Sequence, residues 1–171
     1  MKTLKTIFLS LTLLIAFTQV KAQDAALGSP IGGVLSAYFG VKNALTTDNN
    51  EATKSKAKEL LAAVTAVQAD QLTAEQKTLW TAYADKLSFD SRHISESAAI
   101  DHQREHFASL SKNMFEVVKG LKLNTAVVYQ QYCPMKKSYW LSESAAIKNP
   151  YYGKQMLTCG KTTETLTPST K

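Results

Sequence analysis

Between residues 31 and 118 apolar side chains return at helical spacing in four successive stretches, and after Gly120 that rhythm stops. The change of period limits the fold more than any other feature. Residues at i, i+3, i+4 and i+7 share one helix face, whereas an alternating, β-branched run does not. Ile31, Val34, Leu35, Tyr38, Phe39 and Leu45 mark the first helix, with Ser29-Pro30 before it as a cap and a first-turn proline. Asp48-Asn49-Asn50 closes that helix and opens a second, predicted over residues 51–69. Ala57, Leu60, Leu61, Val64 and Val67 form its inner line, and Lys54, Lys56 and Lys58 its solvated faces. Thr73-Ala74-Glu75-Gln76 has the capping-box pattern and opens a third helix through Trp80, Tyr83, Leu87 and Ile94, with a break or kink expected at residues 95–97. Ile100, Phe107, Leu110, Met114, Val117 and Val118 carry a fourth, predicted to stop at Lys119-Gly120. Four amphipathic segments on short connections predict a mainly α fold, an up-down bundle of about four helices.

The rest reads as an irregular C-terminal cap over residues 121–166 that includes a short strand at 125–132, where Val127, Val128, Tyr129 and Tyr132 are β-branched or aromatic. Asn149-Pro150-Tyr151-Tyr152-Gly153 reads as a turn, and Ser138-Tyr139-Trp140-Leu141 supplies apolar bulk. The Thr-rich end from residue 162 is expected to fray, with residues 167–171 as a disordered tail. The domain is therefore expected over residues 30–166.

Both cysteines lie in the cap, each beside a methionine: Cys133-Pro134-Met135 and Met156-Leu157-Thr158-Cys159. Thiolates and thioethers are the donors that soft ions such as Cu(I) prefer. The same cysteines, 26 residues apart, could form a disulfide, the commoner use in an exported protein. Closing that loop is worth about 3–4 kcal/mol in the chain-entropy model. Both uses suit a cap that needs a clip, and only a reduced pair can bind metal.

Export is predicted from the first 22 residues. Lys2 and Lys5 precede an apolar run over 7–17 that is too short to span a bilayer, and Val20-Lys21-Ala22 offers a cleavage site before Gln23. Residues 1–22 are thus a signal peptide and 23–29 a short leader, with a periplasmic or secreted product and no permanent membrane anchor. Without Lys2, Lys5 and Lys21 the chain keeps 17 basic against 14 acidic residues, so its basicity is modest. No basic run interleaved with aromatics points to nucleic acid.

Of the three histidines, His102 and His106 are four apart on one helix face, with His106 nearer the apolar stripe. The intervening residues are Gln103-Arg104-Glu105, not the Glu-x-x of a metalloprotease helix. Boundary packing is the plainer reading for the pair, and a structural role the plainer one for His93. Asp101 and Arg104 are expected to form a surface ion pair. No phosphate loop, Cys-x-x-Cys pair or cysteine–histidine arrangement appears, so the chain is not expected to be an enzyme.

Taken together, Asp101-His102-Gln103-Arg104-Glu105-His106-Phe107, Tyr132-Cys133-Pro134-Met135, Trp140-Leu141-Ser142, Asn149-Pro150-Tyr151-Tyr152-Gly153 and Met156-Leu157-Thr158-Cys159-Gly160 resemble the bacterial domain-of-unknown-function family 3347. The signal segment is similar to those of Bacteroidota exported proteins. Such domains also occur fused to periplasmic adaptors of heavy-metal efflux pumps. The resemblance implies a soft-metal site of Cys133, Met135, Met156 and Cys159, completed by His106 or His93. It implies copper as the ion and a pump adaptor or metallochaperone as partner. The alternative is a non-catalytic interaction module, stapled through Cys133 and Cys159, that meets a partner with Tyr139, Trp140, Tyr151 and Tyr152.

Overall fold

In a computed structural model residues 31–122 and 124–168 are described. The expected signal peptide, leader and Ser29-Pro30 cap, and the last three residues of the tail, lie outside them. Helices α1 (Gly32–Leu45), α2 (Asn50–Thr65), α3 (Ala74–Glu96) and α4 (Ile100–Leu121) are followed by strands β1 (Val128–Cys133), β2 (Ser138–Ser142) and β3 (Lys161–Leu166). The helices pack in chain order, α1 on α2, α2 on α3 and α3 on α4, and α1 also touches α4. None is long and apolar enough to cross a membrane among the described residues.

Local chemistry sets most of the helix ends. The Asn49 side chain caps α2 by accepting from the Ala52 N–H at 2.9 Å. Thr73 and Gln76 close a reciprocal capping box at the start of α3. Helix α2 ends four residues before the predicted 69, and residues 69–71 form a single 3-10 turn. Helix α3 runs to Glu96 and breaks at Ser97, within the expected 95–97, where the Ser97 N–H reaches back to the His93 carbonyl. Helix α4 continues past the expected stop at Gly120. A Cβ there would sit 2.4 Å from Leu79 Cδ2, so this glycine allows α3 and α4 to approach, and Lys122 takes the left-handed cap with φ 50°.

Tyr38, Leu45, Leu60, Leu87, Ile94, Phe107, Leu110 and Val117 are fully buried in one core with Trp140 and Leu141 from the cap. Each such side chain is worth about 1.5–3 kcal/mol of transfer free energy. The strands form an antiparallel sheet in the order β2-β1-β3, with Tyr132 opposite both Tyr139 and Lys161. Strand β2 lies against α4 and α1. The segment 162–166, expected to fray, is instead part of β3. Its β-branched threonines suit an edge strand paired on β1, and Lys119 of α4 reaches Glu164 at 2.9 Å.

Three polar contacts, each with at least one buried partner, fasten the cap. Tyr38 Oη bonds Ser111 Oγ at 2.7 Å and accepts the Leu141 N–H at 3.0 Å, joining α1, α4 and β2. Buried Lys42 pairs with Glu143 at 2.8 Å; burial pulls its pKa down, against the pull of that partner. Arg104 is the third: the expected pair with exposed Asp101 is formed, and the same guanidinium also reaches inward. Its side chain is buried, donates from Nε to the Pro150 carbonyl at 3.0 Å and pairs with Asp48, while Nη1 pairs with Asp101 at 3.6 Å on the exposed side. The other oxygen of Asp48 accepts the Lys154 N–H at 2.9 Å. Burial works against the Asp48 carboxylate, but the Lys154 N–H and Arg104 outweigh it and hold its pKa below the usual range. Gly153 completes the junction at φ 53°, where a Cβ would lie 1.9 Å from Asp48 Oδ1.

Candidate metal centre

Helices α3 and α4 are joined by three residues, so the last turns of one lie level with the first turns of the other. Gln103, fully buried, fixes this junction by donating from Nε2 to the carbonyls of Ser97 at 2.8 Å and Asn50 at 3.1 Å. His93 on α3 is thereby brought beside His102 and His106 on α4. One ring nitrogen from each of the three lies within 4.8 Å of the others. Ring centroids are 4.5 Å apart for His93 and His106, 4.7 Å for His102 and His106, and 6.4 Å for His93 and His102.

These spacings can be tested against coordination. Metal–imidazole bonds are about 2.0–2.1 Å, so two nitrogens on one ion stand at most about 4.1 Å apart and about 3.3 Å in a tetrahedron. At up to 4.8 Å the cluster is about 1.5 Å wider than a tetrahedral set, so binding an ion requires the rings to draw together. Imidazole donors suit zinc, copper, nickel and iron.

Carboxylates orient two of the rings. His106 Nδ1 is 3.0 Å from Asp90 Oδ1, one turn before His93 on α3, and Asp90 is buried. A carboxylate only accepts, so in the neutral ring Nδ1 carries the proton and Nε2 is left for an ion. Glu105 Oε2 lies 3.4 Å from His102 Nδ1 in a looser contact of the same kind. Such carboxylate–histidine pairs are the usual outer support of a metal site. The Phe89 ring packs 4.3 Å from His93 and 5.8 Å from His106 while remaining 53% exposed, and the His102 side chain is 47% exposed. The cluster is therefore at the surface, walled on one side.

The sulfur residues have different surroundings. Cys133 is sealed in the core, where its Sγ accepts from Asn149 Nδ2 at 3.1 Å and from the Lys136 N–H at 3.4 Å. The same Asn149 amide donates to the Cys159 carbonyl at 2.8 Å, so the two cysteine segments share one buried clamp. Cys159 and Met156 are half-buried, whereas Met135, at the β1–β2 turn, is 61% exposed. Both cysteines are free, so the staple weighed from the sequence is not formed. His93 and His106 gather with His102: His106 turns to α3, and its neighbour Phe107 turns to Tyr38 and Tyr151 at 5.4 and 5.8 Å. Of the four aromatics offered as a partner surface, Trp140 and Tyr151 are buried, and Tyr151 donates its hydroxyl to the Tyr139 carbonyl.

Sequence reasoning placed His93 and His106 among the ligands but left out His102, and it did not single out Asp90. The available signal was position relative to the connection. His93 lies four residues before Ser97 and His102 three after Ala99, which sets them level across an antiparallel pair.

Residues 34–126, more than half of the chain, match the family described as Protein of unknown function (DUF3347). The matched span includes all three histidines and stops before β1. No curated protein and no solved structure matches the chain.

Proposed function

The chain belongs to the DUF3347 family, and from its histidine cluster we propose that it is an exported protein that binds a transition-metal ion through His93, His102 and His106. The observation that carries this reading is the convergence of three imidazoles from two helices, with a buried carboxylate behind one of them. A neutral nitrogen set favours borderline ions, Cu(II) or Zn(II), over the Cu(I) expected for sulfur donors, and Cu(II) binds such donors most tightly among the first-row divalent ions. Copper thus stays in the proposal as the cargo in heavy-metal handling, with a pump adaptor or metallochaperone as the partner. Binding without turnover is the proposed activity.

The test is titration of the metal-free full chain with Cu(II) and Zn(II), followed by counting ions retained after gel filtration. One ion per chain is expected, lost in His93→Ala, His102→Ala and His106→Ala and kept in a Cys133→Ser, Cys159→Ser double variant. Retention in the triple histidine variant, or loss only in the cysteine variant, refutes the histidine centre and returns the site to the sulfurs. Because an imidazole must be neutral to ligate, retention should also fall on acidification.

A further inference from the structure

We infer that the ion held by His93, His102 and His106 keeps one coordination position open, and that this position takes a small monodentate anion from solvent. This rests on the metal-binding reading above and adds to it the class of a second ligand.

Three observations carry it. The first is the donor count: three ring nitrogens converge, and a tetrahedral ion needs four donors, the fourth being supplied from outside wherever the protein offers only three. The second is where the nearby carboxylates are. Asp90 and Glu105 lie at the Nδ1 side of His106 and His102, at 3.0 and 3.4 Å. Nδ1 and Nε2 point to opposite sides of an imidazole, so a carboxylate engaged at the first is held away from an ion at the second. The inner donors are then all neutral, a divalent ion keeps its full charge, and an anion gains by joining it. The third is access. His102 and Phe89 are each about half exposed, so solvent reaches the cluster along the α3–α4 surface. The competitor for the position is Glu105, itself exposed and long enough to swing inward.

Co(II) reports coordination number directly, since its visible bands are strong in four-coordinate sites and weak in six-coordinate ones. The full chain is loaded with Co(II) in chloride-free buffer and titrated with azide. The expected result is a strong band that shifts saturably with one azide per cobalt, with both the band and the shift lost in His102→Ala. A strong band that azide does not move overturns the inference while leaving the metal site intact. If the native protein ignores azide but Glu105→Gln responds, Glu105 fills the position and the inference is likewise overturned. A weak six-coordinate band overturns it by showing that no single open position exists. Absence of any bound cobalt removes the metal-binding reading and this inference with it.

Discussion

Replacing Asp90 by alanine should weaken metal binding without touching a ligand. The Asp90 carboxylate holds His106 Nδ1 at 3.0 Å from within the helix interface, so its loss frees the ring to rotate and to move its proton onto the ligating nitrogen. Loss of such an outer partner typically costs 10–100-fold in affinity, and about 30-fold is a fair central value. The consequence for stability follows from linkage. At a free metal concentration about 100 times the native Kd, binding stabilises the fold by about 2.7 kcal/mol. With Kd raised about 30-fold, the same concentration leaves about 0.9 kcal/mol. For a domain of this size 1 kcal/mol moves Tm by about 2–4 °C, so the metal-induced shift should fall from about 5–11 °C to about 2–4 °C. The assay is a pair of thermal melts for each protein, with and without Zn(II), read as the difference within each pair so that any baseline loss in Asp90→Ala cancels. An Asp90→Ala shift as large as the native one would refute the claim that this carboxylate supports the site. A native protein that does not shift at all would refute the site.

Two further predictions concern the cap. Tyr38→Phe leaves the Leu141 N–H and Ser111 Oγ without their buried partner, and should cost about 1–3 kcal/mol in urea unfolding with metal Kd unchanged. The depressed pKa of Asp48 gives the junction an acid limit: its contribution is present above the unfolded-state value, near 3.8, and is lost as pH falls through the lower folded value. Native protein and Asp48→Asn should accordingly differ in stability at neutral pH, and the difference should shrink below about pH 4.

The helices were legible because their information is local. Asn49, Thr73 and Gln76 cap where their side chains dictate, and the stripes through Leu60, Leu87, Phe107 and Leu110 are the core. What was not legible depends on distant partners. Strand β3 has no apolar alternation and exists because β1 offers an edge. Arg104 reads as one half of an i,i+3 pair, which it is, but its inward partners exist only once the Asn149–Gly153 turn folds back to meet it. Cys133 ends β1 in the core, whereas Met135, two residues on, sits in the hairpin turn and is exposed. The histidine triad fell between these cases. Its i,i+4 pair was visible, but its third member depended on the level of α3 against α4.

The histidines lie within 14 consecutive residues, on two helices and the short connection between them. The bonds that close the cap join residues about a hundred positions apart, as from Tyr38 to Leu141 and from Asp48 to Lys154. Short loops close at far less entropic cost than long ones, and local contacts form earlier in folding. An emerging chain would thus present its histidine hairpin before the sheet can dock, and under the proposed function capture of an ion would tie down that first-formed unit while the rest of the polypeptide is still searching for its place.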